Sequence, residues 1–382
     1  MVADLKTAPA ARFEPGACPR LVVKIGSALL VNEAGAVRRE WLLGVVSDIA
    51  ARRAAGQQII IVSSGAIALG ARRLGLPKGG RASLEDAQAA AATGQIALSH
   101  CWAELLGAEG LTAAQMLVTL DDLEDRRRYL NASSTLDRLL TLGAVPILNE
   151  NDSVATAEIR FGDNDRLAAR IGQAAAATGV ILLSDVDGLY TANPQRDPDA
   201  THVAEVERID DRIRAMADSG SRSGMGSGGM VSKLEAARIA TAAGAHLAII
   251  SGHVDRPLTA FSSGARGTVF IAERSESARR AWLAGRLTVK GTIHIDEGAA
   301  KALLDGRSLL PAGVLRVEGM FRRGDVVNVV GPDGGILARG LAEYDLEDAA
   351  RITGKRSDAL AAILGYAPRA AMVHRDHMVL IT

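Results

Sequence analysis

Five short apolar runs, at residues 21–25, 58–62, 145–148, 180–183 and 246–250, recur along the chain with helical stretches between them. In 41–51 the apolar residues Trp41, Leu42, Val45, Val46 and Ile49 share one helical face, and Gly56 supplies a stop. Comparable periodicity runs through 67–74, 83–106, 130–142, 165–177 and 230–243. Strands buried on both faces read as unbroken apolar runs, and strands that alternate with helices of this length pair in parallel. The pattern therefore predicts an α/β fold, a mostly parallel sheet sandwiched by helices. In such sheets ligands gather beyond the carboxyl ends of the strands. Polar residues stand at those ends here: Lys24-Ile25-Gly26-Ser27, Ser63-Ser64-Gly65, Asn149-Glu150-Asn151-Asp152, Ser184-Asp185 and Ser251-Gly252. That regularity points to an enzyme.

With 382 residues the chain exceeds one typical domain. Past about Arg274 the texture changes: residues 290–382 carry short alternating runs (291–295, 313–317, 325–330, 336–341) between Gly, Pro and Asp turns, as in a small β-rich domain. The expected division is a disordered tail at 1–20, an α/β domain at 21–272, a charged connector at 273–289 and the β-rich domain at 290–382. Forty-four basic residues balance 44 acidic ones, so no global field draws the chain to nucleic acid or an anionic membrane. No apolar run is long enough to span a membrane, and the N-terminus lacks the apolar core of a secretory signal. Cys18 and Cys101 fit no metal or redox spacing, so reduced thiols in a cytoplasmic protein are expected.

The densest polar segment lies between Val145 and Arg170. Asn149 to Asp152 ends one apolar run, and Gly162-Asp163-Asn164-Asp165 opens an alanine-rich amphipathic stretch. Short amides and carboxylates grouped in this way suit a small zwitterion bearing an ammonium and carboxylates. A lysine closing a strand, such as Lys24 before Gly26, is by itself only a snorkelling side chain. Ser64 reads equally as a helix cap or as a hydroxyl beside a bound carboxylate.

The segment SGSRSGMGSGGMVSK, ending in Lys233, matches G-x-G-x-x-G in form, yet no strand precedes it and no acidic residue follows at the ribose distance. Its glycines run into a helix with Lys233 on the first turn, the makings of a phosphate site. Ser184-Asp185-Val186-Asp187-Gly188 lacks the later ligands of a calcium loop and reads as a nucleotide-facing turn. His374-Arg375-Asp376 has no following asparagine, so a protein-kinase catalytic loop is rejected.

From Leu21 onward the blocks VVKIGS, IVSSGAIALG, QMLVT, NENDSVATAEIRFGDND, SDVDGLYTANP and GSGGMVSK, in that order, resemble the amino-acid kinase family, and within it the glutamate 5-kinases. TIHIDEGA and SLLPAGVLRVEG resemble a PUA domain. The resemblance implies ATP-dependent phosphorylation of L-glutamate, with Mg²⁺ carried on ATP. It implies that Lys24 and Lys233 bind and stabilise the transferring phosphoryl group, with Asp165 organising them. By the same resemblance Ser64, Asn149, Asp152 and Asn164 bind glutamate. Ser184, Asp185, Ser227, Gly228, Gly229, Met230, Val231, Ser232 and Lys233 line the nucleotide site with Lys24. It further implies a homo-oligomer (dimer or tetramer), proline as feedback inhibitor and glutamyl-phosphate reductase as a partner. Ala28 departs from a hydroxyl that the family often carries after the glycine.

Two rivals stand beside this expectation. One is a family member acting on aspartate, acetylglutamate or UMP. The other is a PUA-type RNA-binding protein, but the twelve basic and twelve acidic residues from Lys290 onward leave no excess to neutralise an RNA backbone.

Overall fold

A computed structural model describes residues 9–32, 34–154, 163–218, 229–273, 289–366 and 368–381. The chain divides into two compact units, residues 1–125 with 131–273, and residues 126–130 with 274–382.

In the first unit the strands are β1 (Arg20–Ile25), β2 (Gln58–Ser63), β3 (Ala113–Val118), β4 (Val145–Glu150), β5 (Gly179–Ser184), the short β6 (Leu189–Tyr190), β7 (His202–Val203) and β8 (Glu205–Val206), then β9 (His246–Ser251) and β10 (Gly267–Phe270). Eight of them form one sheet in the order β3-β4-β2-β1-β5-β9-β10-β8, and β6 pairs with β7 separately. Pairing is parallel from β3 across to β9, and only β10 runs antiparallel to its neighbour β9. The five apolar runs of the sequence are β1, β2, β4, β5 and β9, whose residues are almost wholly buried. β1 is the switch point: the chain leaves it for β2 on one side and returns to β5 on the other. Lys24 sits near the carboxyl end of this central strand, where crevices open in sheets of this kind.

The helices of this unit that bear on the site are α1 (Ala66–Leu74), α2 (Leu84–Ala108), α3 (Asp163–Ala174) and α4 (Met230–Ala242). Gly65, at φ +112°, turns the chain from β2 into α1 in a conformation that a residue with a Cβ rarely adopts, and so sets Ser64 at the strand end. Ser83 caps α2 by accepting the Asp86 N–H at 3.1 Å. Helices α1 and α2 cross with Gly70 against Gly94, where a side chain on either glycine would collide with the backbone carbonyl of Ala90 or Ala66. Among the described residues no helix is long and apolar enough to cross a membrane.

The disorder expected over 1–20 does not hold for residues 9–20. Pro9–Phe13 forms a 3-10 helix, Phe13 is 0% exposed, and Cys18 is buried within the same core as β1. Buried Arg52 and Gln57 hold this segment by donating to the Phe13 carbonyl at 2.8 and 3.0 Å. Residues 1–8 and most of the expected connector lie outside the described residues.

The second unit has its own five-stranded sheet of β11 (Gly291–Ile295), β12 (Val314–Gly319), β13 (Val326–Val330), β14 (Ile336–Ala342) and β15 (Val373–Leu380), in the order β12-β11-β13-β14-β15. Only β11 and β13 pair in parallel. Alternate residues of β11 are buried in a separate core with Val314, Val327, Val329 and Val373. His374-Arg375-Asp376 lies inside β15, on a strand rather than a catalytic loop.

Candidate active site

The centre of the site is a buried ion cluster. Lys24 comes from β1, Asp165 from the first turn of α3 and Lys233 from the first turn of α4, and α3 and α4 pack against each other. Asp165 is 0% exposed, with Lys24 at 8% and Lys233 at 5%. The Lys24 ammonium lies 2.5 Å from Asp165 Oδ1 and the Lys233 ammonium 3.3 Å from Oδ2. Ser232 donates its hydroxyl to the same Oδ2 at 3.2 Å. Burial alone pushes the Asp165 carboxyl up, but the ammonium groups of Lys24 and Lys233 outweigh it and hold its pKa below the usual carboxylate range. Two ammonium groups and one carboxylate leave one net positive charge at a dehydrated point, where attraction for an anion is far stronger than in water. The starts of α3 and α4 add the positive ends of two helix dipoles.

Beside it lies a neutral amide cluster. Asn164 donates through Nδ2 to Ser64 Oγ at 2.7 Å and to Asn149 Oδ1 at 3.2 Å. Asn149 Oδ1 also accepts the Glu150 N–H at 2.9 Å, and Asn149 Nδ2 donates to Gln95 Oε1 at 2.9 Å. Asn164 Oδ1 is buried and has no hydrogen-bond partner among the described residues. A buried acceptor of this kind is costly unless a ligand supplies the donor. Asp152, just past β4, is buried and lines a cavity of about 280 Å³ with Gln95, Gln115, Leu117 and Glu150. Desolvation lowers the Arg81 pKa while the Asp152 carboxylate works against it, so a cation stands within electrostatic reach of Asp152.

The expected site residues therefore fall into groups. Lys24, Asp165, Lys233 and Ser232 meet at the ion cluster, and Ser64, Asn149 and Asn164 meet at the amide cluster. Ser184, at the end of β5, donates to the exposed Asp185 at 3.0 Å and accepts the Val186 N–H. Gly229 caps α4, Met230 and Val231 open it, and Val231 is exposed. Ser227 and Gly228 lie outside the described residues. Gln95 and Arg81 are not among the residues expected from the sequence, and Gln115 enters there only within the block QMLVT. Gln95 stands in an alanine-rich helical run where a single amide carries no signal of its own.

Residues 19–251 match the model of the amino acid kinase family and residues 291–364 that of the PUA domain. The chain is 71% identical over 369 residues to the glutamate 5-kinase of Sphingopyxis alaskensis, an alignment covering 97% of this chain and 99% of that protein. It is 66% identical to the glutamate 5-kinase of Zymomonas mobilis, covering 97% and 93% of the two chains. For the glutamate 5-kinase of Novosphingobium aromaticivorans the identity is 62%, covering 95% and 96%. With the family model spanning most of the large sheet and relatives this similar over nearly their whole length, the chain belongs to the amino acid kinase family, among the glutamate 5-kinases.

Proposed function

We propose that the protein transfers the γ-phosphoryl group of Mg-ATP to the side-chain carboxylate of L-glutamate, giving L-glutamyl 5-phosphate and ADP, the first step of proline synthesis. The observation that carries this reading is the juxtaposition of Asn164 and Asp165 at one helix start. One carries an acceptor with no partner among the described residues, and the other is clamped between two ammonium groups.

The side-chain carboxyl of glutamate has a pKa of about 4.3, so near neutrality it is already a nucleophile and no general base is needed. Its oxygen attacks the γ-phosphorus as the bond to the β,γ-bridging oxygen breaks, and ADP leaves with that electron pair. Two anions must be aligned and their growing charge neutralised. Lys24 and Lys233 supply that neutralisation, and Asp165 fixes their separation, so little reorganisation is required during transfer. The Asn164 carbonyl and the Asp152 carboxylate accept from the substrate ammonium. Ser184, Asp185 and residues 227–233 line the nucleotide.

Among the described residues no cluster of His, Cys, Asp or Glu is built to hold a metal, and both Asp165 oxygens face lysines. This donor set suits magnesium entering on the ATP phosphates, where it shields their charge. Proline carries the same ammonium and carboxylate on one carbon, and the reading extends to feedback inhibition by proline in competition with glutamate.

ADP release measured with glutamate, aspartate and UMP as acceptors tests the reading. Saturable release with glutamate, far above that with the other two, is expected. Equal or faster turnover of aspartate or UMP would overturn it.

A further inference from the structure

We propose that Gln95 is a positioning residue of this site: it holds Asn149, and through Asn149 it keeps the Asn164 carbonyl turned toward the ammonium of the substrate. The inference rests on the glutamate reading above and assigns Gln95 a role exerted through Asn149.

The hydrogen-bond directions are fixed by chemistry, starting from a backbone group that can only donate. The Glu150 N–H lies 2.9 Å from Asn149 Oδ1, so that end of the Asn149 amide is its oxygen. The other end is then NH₂, and it meets Gln95 Oε1 at 2.9 Å. Gln95 Nε2 consequently faces the hydroxyl of Ser99 at 3.2 Å, and Ser99 gives its one proton to Gln115 Oε1 at 2.6 Å. On the other side, Asn149 Oδ1 admits only a donor, so Asn164 presents Nδ2 to it and must turn Oδ1 away. That Oδ1 is the buried acceptor with no partner among the described residues.

Gln95 is itself held in place. It follows Gly94, which lies against α1 at the close crossing with Gly70, so the α2 backbone has little room to shift there. Removing the Gln95 acceptor leaves the Asn149 NH₂ buried without a partner, and Asn149 gains by rotating to find one. Asn164 would then keep only Ser64, whose hydroxyl can donate as readily as accept and so serves either end of the Asn164 amide. The ammonium acceptor loses its fixed direction, while the lysine cluster is untouched.

The test uses the full-length enzyme, with kcat, KM for glutamate, KM for ATP and Tm measured for wild type, Gln95→Met, Gln95→Glu and Ser99→Ala. Methionine keeps the length and removes the acceptor, whereas glutamate keeps an acceptor facing Asn149. The expected result is a rise in the KM for glutamate of about tenfold in Gln95→Met, the scale of one lost buried hydrogen bond. The KM for ATP should stay within about twofold and Gln95→Glu within about threefold of wild type on the same scale. If Gln95→Met does not fold, Ser99→Ala decides, with a rise in the KM for glutamate of about threefold expected. An unchanged KM for glutamate overturns the proposal. So does a rise shared equally by glutamate and ATP alongside a lowered Tm that Gln95→Glu reproduces. A wild-type enzyme that ignores glutamate would instead remove the reading beneath it.

Discussion

Asn164 and Asp165 are adjacent in the chain, yet their side chains serve opposite electrostatic environments. Successive residues on a helix point about 100° apart, so one helix start can face two chambers at once. The Asp165 side is saturated with charge: both carboxylate oxygens meet lysines, and Ser232 adds a donor. Around Asn164 the contacts are with uncharged groups, both amide protons are used, and its oxygen has no donor among the described residues. The lesson is a division of labour. On the proposed reading, a pre-paired ion cluster changes little between ground and transition states except in how it meets developing charge, so it should act on rate. On the same reading, the Asn164 acceptor gains its partner when substrate arrives, so it should act on binding.

The largest effect expected from breaking the comparison is in Asp165→Asn. Two ammonium groups would then face each other in a buried site without a counter-charge, and breaking such a cluster costs about 3–5 kcal/mol. Chemical denaturation should show that loss, together with negligible turnover. Next comes Lys24→Ala, which leaves Asp165 paired to Lys233: kcat should fall about 10²–10³-fold, by analogy with removing one oxyanion donor. Steady-state kinetics should find its KM for glutamate little changed. On the other side, Asp152→Ala should raise the KM for glutamate by about 10–100-fold, the range of a hydrogen bond to a charged group, with a modest change in kcat.

A smaller effect concerns acid. The folded-state pKa of Asp165 is depressed, so its stabilisation is fully present above the ordinary carboxylate range and is lost as pH falls through the depressed value. The stability advantage of wild type over Asp165→Asn should therefore be flat near neutrality and shrink only in strong acid. A gap that closed already near neutrality would contradict the assignment of the two lysines as its cause. The smallest effect is expected from deleting residues 290–382. The assigned site residues lie in the first unit and the second unit has its own core, so glutamate turnover should stay within about threefold. A truncated protein that is folded by circular dichroism but inactive would show that the second unit completes the site.

Much of this was legible in the sequence because burial leaves a plain trace. The runs that form β1, β2, β4, β5 and β9 are apolar throughout, since both faces of each strand are buried beneath packed helices. β3 has no unbroken apolar run for the opposite reason: it is the edge of the sheet, half-exposed, and its Gln115 breaks the apolar pattern. Phe13 reads as part of a tail because a lone aromatic among alanines and prolines has no periodicity, although it is fully buried.

Among the proposed site residues, Lys24, Ser64, Asn149 and Ser184 stand at strand ends and Asn164, Asp165 and Lys233 at the starts of helical runs. The sequence marks those places, while the separate roles of these residues rest on the family resemblance. What could not be read was which of these would meet. The contact of Ser232 with Asp165, and the chain from Gln115 to Asn149, depend on helix packing that no local pattern encodes.

The division between the two chambers is tested most directly by measuring kcat and the KM for glutamate in Lys233→Ala beside Asn164→Ala. Lys233→Ala should lose kcat with little change in KM, and Asn164→Ala should raise KM with kcat largely kept. If both substitutions moved the same parameter by similar factors, the two side chains would belong to one undivided site, and the separation of rate from binding across this helix start would be wrong.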